Sequence, residues 1–175
     1  MWKPCTLIWR RTRNKDKKAK IMKKREILFR GWNKKNKKWL YGYYCVNRGE
    51  HFIAPDEFVN PLASYEDYVV DADTVGQYIG LKDANGVKIF EGDILKLTIP
   101  DGSIRHFAVK WGTNERMLMP LDGFEHDGNT IRISGWCFVW NGFPLYPSVI
   151  DGVADNERMV VIGNVHENLK LIKTE

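Results

Sequence analysis

Four oxygen-bearing side chains close together in the middle of the chain are its best candidates for chemistry: Asp83, Asn85, Glu91 and Asp93. Carboxylate and amide oxygens of this kind could hold a calcium ion. The spacing does not fit, because Gly86 falls at the fourth position counted from Asp83, whereas an EF-hand loop has its glycine at about the sixth. A calcium site is therefore not predicted.

Glu91 and Asp93 could instead form a general acid and base pair. Such a pair needs neighbours that separate the two pKa values. However, residues two apart on a strand point to the same face, and Gly92 between them is typical of a bulge or tight bend. The alternative interpretation is that 91–93 forms the corner between two strands, with Asp93 accepting backbone N–H bonds.

The surrounding segments read as strands joined by tight turns. The sequence of residues 83–86, Asp-Ala-Asn-Gly, combines a side chain that can bond its own turn backbone with a pair that tolerates positive φ, which predicts a hairpin. Branched and aromatic residues favour strands on both sides. Pro100 to Ser103 predicts a second turn. The sequence therefore predicts a β-meander of three adjacent strands: 75–81, a run from 87 to 99 that is broken at 91–93, and 104–111.

The C-terminal half adds further strand signals but no catalytic motif. It contains no glycine-rich phosphate loop between a strand and a helix, and no GxSxG elbow. Residues 122–129 are rich in turn formers, and Gly163 predicts a bulge in the last strand. Strands are predicted at 117–121, 130–133, 136–140 and 160–165, with a helical turn or loop in 148–157 and a short helix or packed tail at 167–172.

Composition agrees with a compact β protein. Aromatic residues make up 13% of the 175 residues, and no apolar run approaches the roughly 20 residues of a membrane helix. We expect a mainly β fold with little helix, whose antiparallel meanders form one or two small barrels, the second SH3-like. The predicted parts are an N-terminal β part at 22–73 and a β-barrel part at 74–175, which could share a core.

The net charge of +5 resides in the first residues. Residues 1–21 contain eight Lys and Arg and one Asp, a balance of +7, which leaves −2 for the rest. This leader lacks the apolar core of a signal peptide. Three interpretations remain: Met1 is an upstream start and the natural protein begins at Met22, the leader is a solvated tail, or it is a basic arm that binds phosphates non-specifically.

A second basic cluster lies between two tryptophans. Lysines and asparagines between Trp32 and Trp39 predict an exposed hairpin loop. The functional alternative is a cationic tip flanked by aromatic rings, suited to nucleic acid or an acidic protein surface. All charged residues of 55–73 are acidic. This acidic segment and the basic cluster could therefore also pair two copies of the chain. The candidate contact residues are Trp32, Lys34, Lys35, Lys37, Lys38 and Trp39.

Metal, disulfide and cofactor chemistry are not expected. Cys5, Cys45 and Cys137 are an odd count without a secretion signal, which disfavours disulfides. The four histidines, at 51, 106, 126 and 166, form no CxxC, HxxxH or HExxH pattern. A spatial cluster of Cys45, His51 and an acid stays open.

Three segments together resemble one protein family. The central block GLKDANGVKIFEGDIL, the opening REILFRGW with its lysine-rich turn, and the closing VIGNVHEN are similar to the motifs of the YopX family of bacteriophages and prophages. The resemblance covers about 22–172 and implies a mainly β protein of phage origin. The motif residues interpreted as structural are Gly80, Leu81, Asp83, Asn85, Gly86, Glu91, Gly92, Asp93, Gly163, Asn164, Glu167 and Asn168.

The expected function is a non-catalytic binding or structural accessory role for a phage or prophage. The resemblance implies no assigned activity and a location in the cytoplasm of the bacterial host. The expected partner is an unidentified protein or a second copy of the chain, with no membrane association. Two alternatives remain, a nucleic-acid-binding β-barrel module and an enzyme using Glu91 and Asp93.

Overall fold

The computed structural model describes residues 25–55, 64–117 and 130–172. These ranges consist mainly of antiparallel strands, with four 3₁₀ turns of three or four residues, and the mainly β prediction is confirmed. The strands are β1 (Phe29–Asn33), β2 (Lys38–Asn47), β3 (Glu50–Ala54), β4 (Val69–Val70), β5 (Gly76–Lys82), β6 (Lys88–Phe90), β7 (Asp93–Thr98), β8 (Ile104–Met117), β9 (Thr130–Trp140), β10 (Phe143–Leu145), β11 (Val149–Ile150), β12 (Val153–Ala154) and β13 (Met159–Asn164).

The first sheet has the order β4-β3-β2-β1-β5-β6. Strands β1 and β2 pair from Phe29 opposite Gly42 to Asn33 opposite Lys38, so the lysine-rich segment is the turn between them. The predicted opening strand and lysine-rich turn are confirmed. Strand β5 then returns to pair with the other edge of β1, with Phe29 opposite Gln77.

The second sheet has the order β10-β9-β8-β7-β13. Its longest unit is the hairpin of β8 and β9, which pair continuously through Gly112 opposite Gly135. The separate strands predicted at 130–133 and 136–140 are therefore wrong, because Gly135 lies inside one strand, β9. The predicted strand at 117–121 begins at the last residue of β8, and 118–129 lie outside the described residues.

The chain changes sheet between β6 and β7. Strand β6 pairs with β5, whereas β7 pairs with β8 and β13, so the chain does turn a corner at the predicted break, but the prediction that the strands on its two sides are adjacent in one meander is wrong. Gly92 has a φ of 80°, which disfavours side chains larger than glycine. Its N–H donates to Val109 O at 2.9 Å and its carbonyl accepts from Val165 N at 2.8 Å. The corner is thus anchored to the second sheet on both sides.

The two sheets share a core. The hairpin of β5 and β6 contributes Ile79 and Ile89, which pack with residues of the second sheet. Burying one such large apolar side chain contributes about 1.5–3 kcal/mol relative to leaving it exposed. The domain boundary near Asp73 stays a prediction, since β5 and β6 hydrogen-bond with the N-terminal strands and pack on the C-terminal ones. The core residues that the second sheet contributes are Leu95, Phe107, Val109, Phe138 and Met159.

The end of the chain follows its sequence signals closely. The register of β13 shifts between Val161 and Gly163, which confirms the predicted bulge. Residues 148–157 contain the β11–β12 hairpin and a 3₁₀ turn, and Leu169–Ile172 forms the last 3₁₀ turn. The pairing of the described strands leaves both sheets open at their edges, so barrel closure stays a prediction.

Candidate functional site

Asp83 connects the β5–β6 turn to the second sheet. Its Oδ1 accepts hydrogen bonds from Asn85 N and Val87 N at 2.9 and 2.8 Å, which holds the turn. Its Oδ2 accepts from Val161 N of β13 at 2.9 Å. Ala84 N also donates to Met159 O at 2.9 Å. The turn therefore covers the edge of β13 that β7 leaves free.

Asp93 lies at the start of β7 and is 1% exposed. It forms an ion pair with Arg30 of β1, whose Nη1 donates to Asp93 Oδ1. The other carboxylate oxygen accepts from Phe90 N at 2.7 Å, and Arg30 Nη2 donates to Glu91 O at 3.1 Å. One buried guanidinium thus joins the first strand of one sheet to the corner that begins the other. Sequence reasoning missed Arg30.

Aromatic rings surround the Arg30 guanidinium. Its central carbon lies 4.9 Å from the centre of the Trp39 ring and 5.3 Å from that of Phe90, within the range of cation–π attraction. His166 packs on Trp39 with ring centres 6.0 Å apart. Burial and the nearby Arg30 charge both lower the pKa of His166. The neutral imidazole is therefore favoured beside the cation.

The closing motif folds onto the same junction. Asn164 lies opposite Asp93 in the β7–β13 register. Its Oδ1 accepts from His166 N and Glu167 N at 3.0 Å, and its Nδ2 donates to Glu167 at 2.6 Å. Glu167 also accepts from Trp39 Nε1 at 3.3 Å. Asn168 leaves no space beside Gly163, where a Cβ would lie 2.2 Å from its Oδ1.

The geometry gives Glu91 and Asp93 few features of an acid and base pair. Burial is the largest influence on both and raises the pKa of each, while backbone N–H bonds to Glu91 and the Arg30 charge beside Asp93 act the other way. The two pKa values are thus shifted in one direction rather than apart. Both carboxylate oxygens of Asp93 also accept hydrogen bonds, one from the Arg30 guanidinium and the other from Phe90 N.

The opening, central and closing segments that resembled one family therefore meet around Arg30 and Asp93. The family model described as YopX protein matches residues 28–173. The chain belongs to the YopX family. In this chain, residues of the three motifs contribute contacts between the two sheets.

A solved structure provides a second comparison. The crystal structure of protein EF1440 from Enterococcus faecalis is 21% identical, with 85% of this YopX chain and 99% of that chain covered and a TM-score of 0.39. No curated protein matches the chain.

The basic turn and the acidic segment of this YopX protein meet in one surface. Lys34 Nζ lies 2.6 Å from Asp71, and Lys35 Nζ lies 3.1 Å from Glu66 and 3.2 Å from Asp67. The two charge groups that could have paired separate copies thus pair within the chain. Lys37 and Lys38 are exposed beside these pairs. The Trp32 and Trp39 rings pack edge to face with their centres 5.7 Å apart. Two acids of the segment, Asp56 and Glu57, lie outside the described residues.

A groove of about 570 Å³ runs beside these ion pairs. Its lining combines Lys34, Lys35, Glu66 and Asp71 with the two-residue edge strand β4. Asn33, which is fully buried, holds this arrangement by donating to Glu66 O at 3.0 Å and Val69 O at 2.7 Å. The groove therefore has a fixed floor and charged, exposed walls.

The cluster of Cys45, His51 and an acid that the sequence left open does not form a metal site in the described part of the chain. Cys45 is exposed, and His51 is 2.6 Å from the Tyr44 hydroxyl. Within 25–55, 64–117 and 130–172, no three His, Cys, Asp or Glu side chains are grouped to hold a metal. None of the helical turns in those ranges has the length or apolar character needed to cross a membrane.

Proposed function

We propose that this YopX protein is a non-catalytic binding protein of a bacteriophage or prophage, acting in the bacterial cytoplasm. The observation that carries the proposal is the charged groove beside the basic turn and β4. The motif carboxylates Asp83 and Asp93 are buried, and both oxygens of each accept hydrogen bonds within the turn, at the corner or between the two sheets. The groove carries accessible charges of both signs instead.

The partner we propose is a protein segment that carries both charges. The Lys34 side chain is 72% exposed and that of Glu66 is 71% exposed, so water screens the pairs they form. Charges on a partner can replace such pairs at little cost, and they would guide its approach. A second copy of the chain satisfies the same chemistry and is one outcome of the test.

A pull-down from infected or prophage-induced cells tests the proposal. The bait is the full chain, compared with Lys34→Glu/Lys35→Glu and with Lys82→Glu/Lys110→Glu. The control replaces two exposed lysines outside the groove and changes the net charge equally. We expect one protein to be recovered with the wild type and the control and lost with the groove variant. Equal recovery with all three baits would reject the groove.

Nucleic acid binding is a second candidate, supported by one observation. Lys37 and Lys38 are exposed and form no ion pair among the described residues. A nucleic-acid module would retard DNA or RNA in gels, with affinity falling steeply as salt rises. Lys37→Ala/Lys38→Ala would then reduce retention, whereas protein recovery through the groove would persist. An enzyme using Glu91 and Asp93 is the remaining alternative. It would be supported if Glu91→Ala or Asp93→Ala kept the fold but lost a phage phenotype.

The closure of the C-terminal part into a barrel is also a proposal. We propose that the part at 74–175 is a small SH3-like barrel. The bulge at Gly163, which bends β13, and the Asp83 turn packed on the edge of β13 support this. An experimental structure with an unpaired β13 edge and a flat second sheet would contradict it.

A further inference from the structure

A second cavity, of about 360 Å³, lies beside β6 at the edge of the first sheet. Its lining includes the Arg30–Asp93 pair together with Tyr41, Lys88, Phe90 and Val161. This volume is at the lower end of the roughly 300–1,000 Å³ typical of small-ligand pockets. Of the described residues, none lines both this cavity and the groove proposed for the protein partner.

The Arg30 guanidinium has hydrogen-bonding capacity left over. A guanidinium carries five N–H donors. Among the described residues, the Arg30 guanidinium meets two acceptors, Asp93 Oδ1 and Glu91 O, and its buried Nε meets none. Buried donors of native proteins are nearly always satisfied, so an exception calls for an explanation such as a bound water, an ion or a ligand. Arg30 lines the cavity, so an acceptor oxygen placed there would lie beside a guanidinium that has donors left over.

The other walls of the cavity favour a ligand with a planar ring. Tyr41 is 50% exposed, although its ring packs edge to face on Phe90 at 5.4 Å. An exposed aromatic next to a buried one provides a surface on which a planar group can stack. Lys88 adds a positive charge, and its ion pair with Glu26, at 2.5 Å, is exposed and can be exchanged.

We propose that this cavity binds a small carboxylate with an apolar, ring-sized body. The carboxylate accepts from the Arg30 guanidinium and is attracted by Lys88, while the body lies against Tyr41, Phe90 and Val161. Charge-assisted bonds of guanidinium to carboxylate are among the strong ones, which favours an acid over a neutral acceptor. The proposal is independent of the protein-binding function.

Benzoate is a suitable probe, because it combines the two features in one small molecule. The arginine Nε–H signal of Arg30 is followed by NMR in the ¹⁵N-labelled full chain during titration. We expect a saturable shift of this signal with benzoate. Acetate and benzyl alcohol, which lack the ring and the charge respectively, should bind at least about tenfold more weakly, as expected when one of two binding features is removed.

Two variants locate the binding. Tyr41→Ala should weaken benzoate at least about fivefold by removing a stacking surface, with the fold retained because the ring is half-exposed. Tyr43→Ala, the matched control on the same strand, is 54% exposed, does not line the cavity, and should bind like the wild type. No saturable shift of the Arg30 signal, or equal binding by Tyr41→Ala and the wild type, would overturn the proposal.

Discussion

Two regions of the molecule use the same chemistry, a cation against a carboxylate, in opposite surroundings. Arg30 and Asp93 are 6% and 1% exposed, and the pair lies between the sheets with aromatic rings around it. Lys34 and Lys35 pair with acids at the surface, where the lysine side chains are 72% and 46% exposed. The cations of both regions belong to the segment that opens the YopX motif.

The difference teaches what each pair can contribute. A buried pair has lost its water, so removing one partner leaves an unpaired charge in a poorly polar site. An exposed pair is screened and loses side-chain entropy when it forms, so its net contribution is small. The buried pair therefore fixes the architecture, whereas the exposed pairs remain available for exchange with a partner.

The largest expected effect comes from breaking the buried pair. Asp93→Ala should lower the free energy of unfolding by about 3–5 kcal/mol, because Arg30 stays buried without its counter-charge. Urea unfolding followed by tryptophan fluorescence measures it. The double variant Arg30→Met/Asp93→Leu should recover much of the loss, since it removes both charges. A stability of Asp93→Ala within about 0.5 kcal/mol of the wild type, as for ordinary surface changes, would show that the pair is not a junction.

Removal of the Asp83 carboxylate should come next. Asp83→Ala leaves three backbone N–H groups without their acceptor, and a loss of about 2–3 kcal/mol is expected from unsatisfied donors of this kind. Asp101 is the control, because its carboxylate accepts from Ser103 N, two residues away in an exposed turn, at 2.8 Å. Asp101→Ala should shift the urea midpoint far less. Equal shifts would mean that Asp83 only shapes its own turn.

A smaller effect is expected at the exposed pairs. Lys35→Gln should shift the urea midpoint less than Asp83→Ala, because Lys35 meets Glu66 and Asp67 in water. The difference from the wild type should disappear near about 1 M salt, where the screening length falls to roughly 3 Å. A loss of stability that does not depend on salt would show that these pairs behave like the buried Arg30–Asp93 pair.

The smallest effect is a pH dependence at Asp67. Hydrogen bonds from Asn36, Ser64 and Lys35 lower the pKa of Asp67 from 3.8 to about 2. A lowered pKa in the folded state contributes stability above the unfolded value, and this contribution is lost as the pH falls from about 4 to about 2.

The thermal midpoint of the wild type should therefore exceed that of Asp67→Asn at pH 6, with the difference shrinking below pH 4. A difference that stays constant down to pH 2 would exclude titration of Asp67 as its cause.

Local sequence signals predicted much of the fold. The Asp-Ala-Asn-Gly turn was identifiable because Asp83 bonds its own turn, and Gly86 has the positive φ of 79° that the pair tolerates. The bulge at Gly163 and the turn at the basic cluster were identifiable for similar local reasons. Such features depend on residues within a few positions of one another, which a single sequence displays.

The parts that could not be predicted depend on contacts between distant residues. Glu91 and Gly92 signalled a break, but only the partner strands decide that the chain changes sheet there. Arg30 lies 63 positions before Asp93, and Val161 lies 78 positions after Asp83. One signal was present, because a buried strand that contains an arginine requires an acid somewhere. The sequence does not indicate which acid.

The bond between Trp39 and Glu167 spans 128 positions, and it closes the same junction as Arg30 and Asp93. Contacts of such long range slow folding, because the intervening chain must be ordered before they form. During synthesis the opening strand leaves the ribosome long before the closing motif does. We therefore expect the nascent chain to expose the free edge of β7 until β13 emerges, which makes this late step the point at which folding competes with aggregation.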